Sequence, residues 1–161
     1  MSESIDQRII DLGLTLPAAV QIPPGITVPL AMVKVVGKRV LVSGHGPQND
    51  DGSIAEPLGQ VGSDVTQEQA IHAARRVALA MLGTLQREFG TLDNIKTWVS
   101  VLGMVNTAPG FTGQTPVING FSETIIEIFG PERGMAARSA VGMGGLPFGI
   151  PVEVQAELEL Y

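Results

Sequence analysis

The chain has no cysteine, which excludes a disulfide framework, a thiolate nucleophile and any cysteine-bound zinc. Histidine is almost as scarce: His45 and His72 are the only two, too few for an all-protein metal cage. Basic residues are outnumbered, ten Lys and Arg against sixteen Asp and Glu, and a net charge of -6 lacks the basic footprint of a nucleic-acid partner. One Trp, one Tyr and five Phe leave little on which bases could stack. Long apolar runs are missing too. None approaches the ~18 residues of a membrane span, and Met1 to Arg8 has no basic start leading into an apolar core. A soluble, cytoplasmic protein without a membrane partner is the expectation. Charge of either sign is thin: 16% of residues are charged, against about 25% in ordinary soluble domains. With a mean hydropathy of +0.26, that shortage points to an oligomer that hides part of each subunit's face.

What is present fits one domain over residues 1–161, since single domains run to ~100–200 residues. Ile5, Ile9, Ile10 and Leu12 recur at roughly helical spacing and predict a short helix within residues 1–16. Pro17 to Pro29 holds four prolines and reads as an irregular lead-in. Ala31–Val36 and Arg39–Ser43 are rich in β-branched residues and flank Gly37-Lys38, which predicts a hairpin with a type II′ turn. Thr66 and Gln69 have capping-box spacing. Ile71, Ala74, Ala78, Met81 or Leu82, Leu85 and Phe89 form the stripe of a long helix that Gly90 ends. Ile95–Val105 reads as a strand with Val99 and Val101 on one face and Trp98, Leu102 and Met104 on the other. Thr115 is the expected N-cap of a second helix, with Pro116 at its first position and Ile118, Phe121, Ile125 and Ile128 or Phe129 inward. Gly130-Pro131 stops it. Arg138–Val141 reads as a short strand, and Pro151–Leu160 alternates as a last one, with Val152, Val154, Ala156, Leu158 and Leu160 on one side.

The expected order is β-β-α-β-α-β-β, an α+β pattern in which two helices cover one sheet face. The other face, taken to include the Trp98 side of the central strand, then needs a second subunit to cover it.

Few residues stand out as chemistry. Gly142–Gly149 is glycine-rich but lacks the Gly-Lys-Ser/Thr ending of a phosphate loop and precedes a strand, so no helix N-terminus waits behind it. His72 falls on the polar side of the long helix, whereas His45 lies in a loop after a strand, where binding residues collect. Arg138 sits among Ala136, Ala137 and Ala140. It can clasp a carboxylate with two parallel hydrogen bonds or pair with one of the chain's own acids, and spacing favours the internal pair. Glu153 shares its strand face with Gln155, Glu157 and Glu159, a pattern that a solvated face also explains.

A set of ordered motifs carries more. Ala137-Arg138-Ser139-Ala140-Val141, Leu146-Pro147 and Val152-Glu153-Val154-Gln155-Ala156 resemble the closing signature of the YjgF/RidA family, reactive-intermediate deaminases also known as the endoribonuclease L-PSP family. Val40-Leu41-Val42-Ser43-Gly44 and Val117-Ile118-Asn119 match earlier family motifs, and the likeness runs from about Pro29 to Leu160. Residues 1–28 are then a family-atypical N-terminal extension, and the loops around 44–64 and 106–115 are longer than usual.

The resemblance implies a chorismate-mutase-like fold in a trimeric, barrel-like assembly with sites between subunits. It implies a carboxylate anchor at Arg138, contacts from Ser43, Gly44, Asn119, Leu30 and Ala140, and a water held by Glu153. Leu30 and Ala140 stand where many members carry tyrosine and cysteine, which marks a divergent branch. The activity implied is hydrolysis of small enamine or imine acids to keto acids and ammonia, with neither metal nor organic cofactor. A trimeric binder of small carboxylates without catalysis is the alternative, and a translation-inhibiting endoribonuclease ranks third.

Overall fold

The computed structural model describes residues 3–161; Met1 and Ser2, at the start of the expected N-terminal helix and extension, lie outside the described residues. The chain runs α1 (Ile5–Asp11), β1 (Val33–Val36), β2 (Arg39–His45), α2 (Gln67–Phe89), β3 (Ile95–Asn106), α3 (Gln114–Phe129), α4 (Pro131–Gly134), β4 (Ala137–Met143) and β5 (Val152–Leu160). One five-stranded sheet takes the order β1-β2-β5-β3-β4. The α+β order read from the sequence holds; α1 lies within the short helix expected in residues 1–16, and only the single turn of α4 is added.

Local chemistry explains most boundaries. At the β1–β2 turn Gly37 has φ +63° and Lys38 does not share the positive sign, the II′ combination that matches strand twist. The capping box of α2 is complete: Gln69 N donates to Thr66 Oγ1 at 3.1 Å, and Thr66 N donates to Gln69 Oε1 at 2.9 Å. Gly90 closes the helix with φ +76°. Helix α3 departs from expectation. Its N-cap is Gly113, not Thr115, with no side-chain cap, and Gln114 Nε2 instead bonds back to the Phe111 carbonyl at 3.1 Å. The inward stripe of α2 is centred on Ala70, Ala74, Val77 and Met81, with Ile71 only half-buried.

Strands β2, β3 and β4 run in one direction, because β5 pairs antiparallel with both β2 and β3 while β3 and β4 are parallel. The β2-α2-β3 and β3-α3-β4 crossovers therefore step the same way across the sheet, and the right-handed rule lays both helices on one face. Trp98 belongs to that face. Its indole packs edge-on against Phe121 and Phe129 with ring centroids 5.9 and 5.8 Å away, so Trp98 is not on the uncovered side as alternation predicted. The cause is a register shift between Trp98 and Ser100. This bulge puts Trp98 and Val101 on the same face and leaves Val99 exposed. Beyond it, Ser100, Leu102 and Met104 face away from the helices and are only half-buried.

The N-terminal segment is built into the same core. Ile5 and Ile9 are buried, and Ser4 Oγ and Ile5 N donate to the Asp93 carboxylate at 2.8 and 2.7 Å. Residues 17–32 then run over the 44–54 turn as a strap, fixed by Ala18 N to Asp50 O and Gln21 N to Gly52 O, both 2.9 Å.

Helices α2 and α3 meet where Gly120 lies against the Ile71 carbonyl, and a methyl on Gly120 would collide with that backbone oxygen. Gly120→Ala gains helix propensity worth ~0.5–1 kcal/mol but forces the helices apart, an overpacking cost of ~1–3 kcal/mol. A net loss of about 1–2 kcal/mol in urea unfolding is expected.

Candidate functional site

The residues singled out from the sequence form two groups on opposite faces of the sheet. Glu153 pairs across strands with Met104 and so points to the helix-free face. Its carboxylate lies against Gly44, and any side chain at position 44 would strike Glu153 Oε1. The φ of Gly44 is not in the left-handed region, so the glycine serves here as room for the carboxylate, and a side chain at position 44 would displace the Glu153 carboxyl. Glu153 is half-buried with no hydrogen-bond partner among the described residues, and burial raises its pKa above the ordinary carboxylate value. A cavity of about 180 Å³ opens in front of it, reached also by Leu30 and Gly44. Ser43 stands behind this cavity. Its hydroxyl donates to the Ala31 carbonyl at 2.6 Å and its N–H to Met32 O at 3.0 Å, which ties the strap to β2.

Arg138 lies on the helix side, at the β4 edge of the sheet, opposite Val101. One guanidinium nitrogen, Nη1, donates to Asn119 Oδ1 at 2.9 Å and Ser122 Oγ at 3.1 Å, both on α3. No acid pairs with it among the described residues, which overturns the internal ion pair that the spacing favoured. Asn119 thus orients Arg138, and Ala140 lies two residues along on the same face of β4. Arg138 and Glu153 are separated by strand β3 and by three residues of register, roughly 14 Å in the sheet plane from strand spacing and rise. They also point to opposite sides, so a single copy cannot close them around one small molecule.

His45 is placed differently from what its loop-like sequence suggested. It ends β2, is 2% exposed and bonds through both ring nitrogens, Nδ1 to the Ser43 carbonyl at 2.7 Å and Nε2 to Thr84 Oγ1 at 2.9 Å. The carbonyl can only accept, so the network assigns the proton to Nδ1 and makes Nε2 the acceptor of the Thr84 hydroxyl. A bulge between Val42 and His45 turns the ring toward α2. His72 is exposed on α2, where its Nε2 accepts from Arg76 Nε at 3.3 Å.

Sequence reasoning missed most of the cavity wall. Val20, Ile22 and Val28 come from the proline-rich strap and Phe148 from the glycine-rich loop. Their one sequence signal was the recurrence of large apolar residues in segments otherwise read as irregular.

No protein-family model matches the sequence. The chain is 40% identical over 149 residues to Protein TCP17 of Trypanosoma cruzi, covering 92% of this chain and 89% of that one. Among solved structures it is similar to Atu1372 of Agrobacterium tumefaciens, a protein of unknown function, with a TM-score of 0.86, 35% identity, and 98% and 92% of the two chains covered. A proposed endoribonuclease of Shewanella oneidensis superposes with a TM-score of 0.87 at 26% identity, over 98% of this chain and 100% of its own. That protein carries the older name of the family whose closing motifs sit on β4 and β5 here. The chain belongs to the YjgF/RidA family. Among the described residues no helix is long and apolar enough to cross a membrane.

Burial lowers the His45 pKa below 6.5 in the fold, so the unfolded chain takes up a proton first as pH falls. Stability from the neutral ring is complete above the ordinary histidine value and is lost as pH falls through the depressed one. Urea midpoints should drop from about pH 7.5 to about pH 5.5 in the parent and change less in His45→Gln.

Proposed function

We propose that this YjgF/RidA protein hydrolyses small imine or enamine acids to keto acids and ammonia in clefts between copies of the chain. The observation that carries the reading is Glu153, a half-buried carboxyl with a raised pKa and no internal partner, facing a cavity. Arg138 supports it, since its guanidinium is steered by two neutral oxygens and has no internal acid to satisfy it. Bringing Arg138 of one copy to Glu153 of another requires an oligomer. The bare sheet face and the low charge share agree with that, and by family resemblance the assembly is a homotrimer.

In the proposed reaction Arg138 holds the substrate carboxylate in its planar fork. The Glu153 carboxylate accepts a proton from water as the water oxygen bonds to the iminium carbon. The pair of electrons in the C=N bond moves to nitrogen, giving a carbinolamine. Glu153 returns that proton to the nitrogen, the C–N bond breaks, and the oxygen's electrons form the keto C=O as the hydroxyl proton passes back to the Glu153 carboxylate and ammonia leaves. The cationic iminium is its own electrophile, so this route draws on the two side chains, water and the substrate. The alternative, a carboxylate-binding protein without turnover, has Leu30 and Ala140 in its favour, since many family members carry tyrosine and cysteine there.

Light scattering at micromolar concentration should give a mass near three times 16.9 kDa; a monomer would remove the inter-subunit site. With 2-iminopropionate generated in situ, Glu153→Gln should keep ligand binding while single-turnover hydrolysis falls ~10²–10⁴-fold. The parent rate should decline on acidification at a pH above the ordinary carboxylate range, because only the ionised form accepts the proton. Arg138→Lys should lose most carboxylate affinity despite its charge. Binding without turnover in the parent would leave the non-catalytic reading.

A further inference from the structure

The cavity beside Glu153 is lined almost entirely by hydrocarbon. Val20, Ile22, Val28 and Leu30 come from the strap, Ile54 from the turn beneath it and Phe148 from the loop before β5. Ile22, Val28 and Leu30 are 39, 40 and 52% exposed, so these strap side chains are not committed to the core. The strap is nevertheless held firmly. Arg87 Nη1 donates to the Pro17 carbonyl at 2.9 Å and Gln48 Nε2 to the Ala18 carbonyl at 3.1 Å.

Phe148 adds an independent observation. It has φ +59° and ψ +13°, the left-handed region, and it is the one non-glycine residue there among those described. Bulky side chains avoid this conformation, and residues held in it cluster at ligand clamps and active sites. The neighbouring chain enforces it: Gly149 follows with φ +71°, and the Gly149 carbonyl accepts from Gly59 N at 2.7 Å. The result is an aromatic ring at the cavity wall, 41% exposed, where a relaxed backbone would send it elsewhere.

We propose that this cavity receives the apolar chain of the substrate, so that the protein selects carboxylic acids with a chain of about five or six carbons over two- and three-carbon acids. The volume of about 180 Å³ slightly exceeds the ~150 Å³ of an apolar cavity that holds benzene, which sets that size. This rests on the site proposed above, with the carboxylate on Arg138 of another copy, the reacting carbon beside Glu153 and the chain running under the strap between Ile54 and Phe148.

The test separates binding from turnover. The full-length oligomer is titrated calorimetrically with propionate, butyrate, hexanoate and octanoate, none of which can be hydrolysed. Affinity should rise about fourfold per methylene up to hexanoate, the equivalent of ~0.8 kcal/mol per buried CH₂, and level off at octanoate. Val28→Asp should flatten the slope. Phe148→Asn, whose new side chain tolerates the left-handed backbone, should weaken hexanoate about tenfold without lowering the thermal midpoint. A merely structural ring would not produce that split. Equal affinity for propionate and hexanoate overturns the proposal, as when a side chain of a second copy fills the cavity, and so does absence of any binding. A chain-length slope without imine hydrolysis keeps this proposal and removes the deaminase reading; hydrolysis of 2-iminopropionate without a slope does the reverse.

Discussion

Strand β5 hydrogen-bonds to β2 along one edge and to β3 along the other, and this insertion of the last strand into the middle of the sheet sets the rest of the architecture. It forces β2 and β3 to run the same way, so both helical connections cross in one direction and pack on one face. The core follows from that: Val152, Val154, Ala156 and Leu158 of β5 face α2 and α3 and are buried. Every alternate residue must then face the other way. Glu153 is one of these, and its carboxyl lies in the space that a side chain at Gly44 on β2 would occupy.

The same geometry separates the candidate groups. Arg138 lies on the helix face because α3 supplies Asn119 and Ser122 to hold it, whereas Glu153 lies on the opposite face. A chain that kept them for an intramolecular purpose would bring them into contact. Instead each is positioned without an opposite charge beside it among the described residues, which is what the proposed inter-subunit site requires. The strap of residues 17–32 then adds an apolar wall to the Glu153 side, and the strained Phe148 supplies a ring to the same wall.

Much of the fold was legible in order. The capping box at Thr66 and Gln69, the glycine at 90, the II′ turn at Gly37 and the unbroken alternation of Val152 to Leu160 are local signals, and each element formed where its signal lay. Thr115 gave way to Gly113 as the N-cap of α3, and Trp98 turned to the helix face because a bulge shifted the alternation by one residue. A bulge carries no composition of its own. It is selected by the register of two neighbouring strands and by the space between Phe121 and Phe129 that the indole fills.

The sequence by itself determined which residues could do chemistry: an arginine among small residues, an acid in the last strand, and family motifs in their order around them. It also determined the secondary structure, because helix caps, turn glycines and hydrophobic periods act over a few residues. Tertiary structure alone decided that Arg138 has no internal acid, that His45 is a buried, fully bonded ring, and that a proline-rich lead-in forms a cavity wall. Those outcomes depend on residues far apart in the chain, such as Arg138 with Asn119 and Gly44 with Glu153. Their meeting is fixed by strand order and helix packing, which no local spacing encodes.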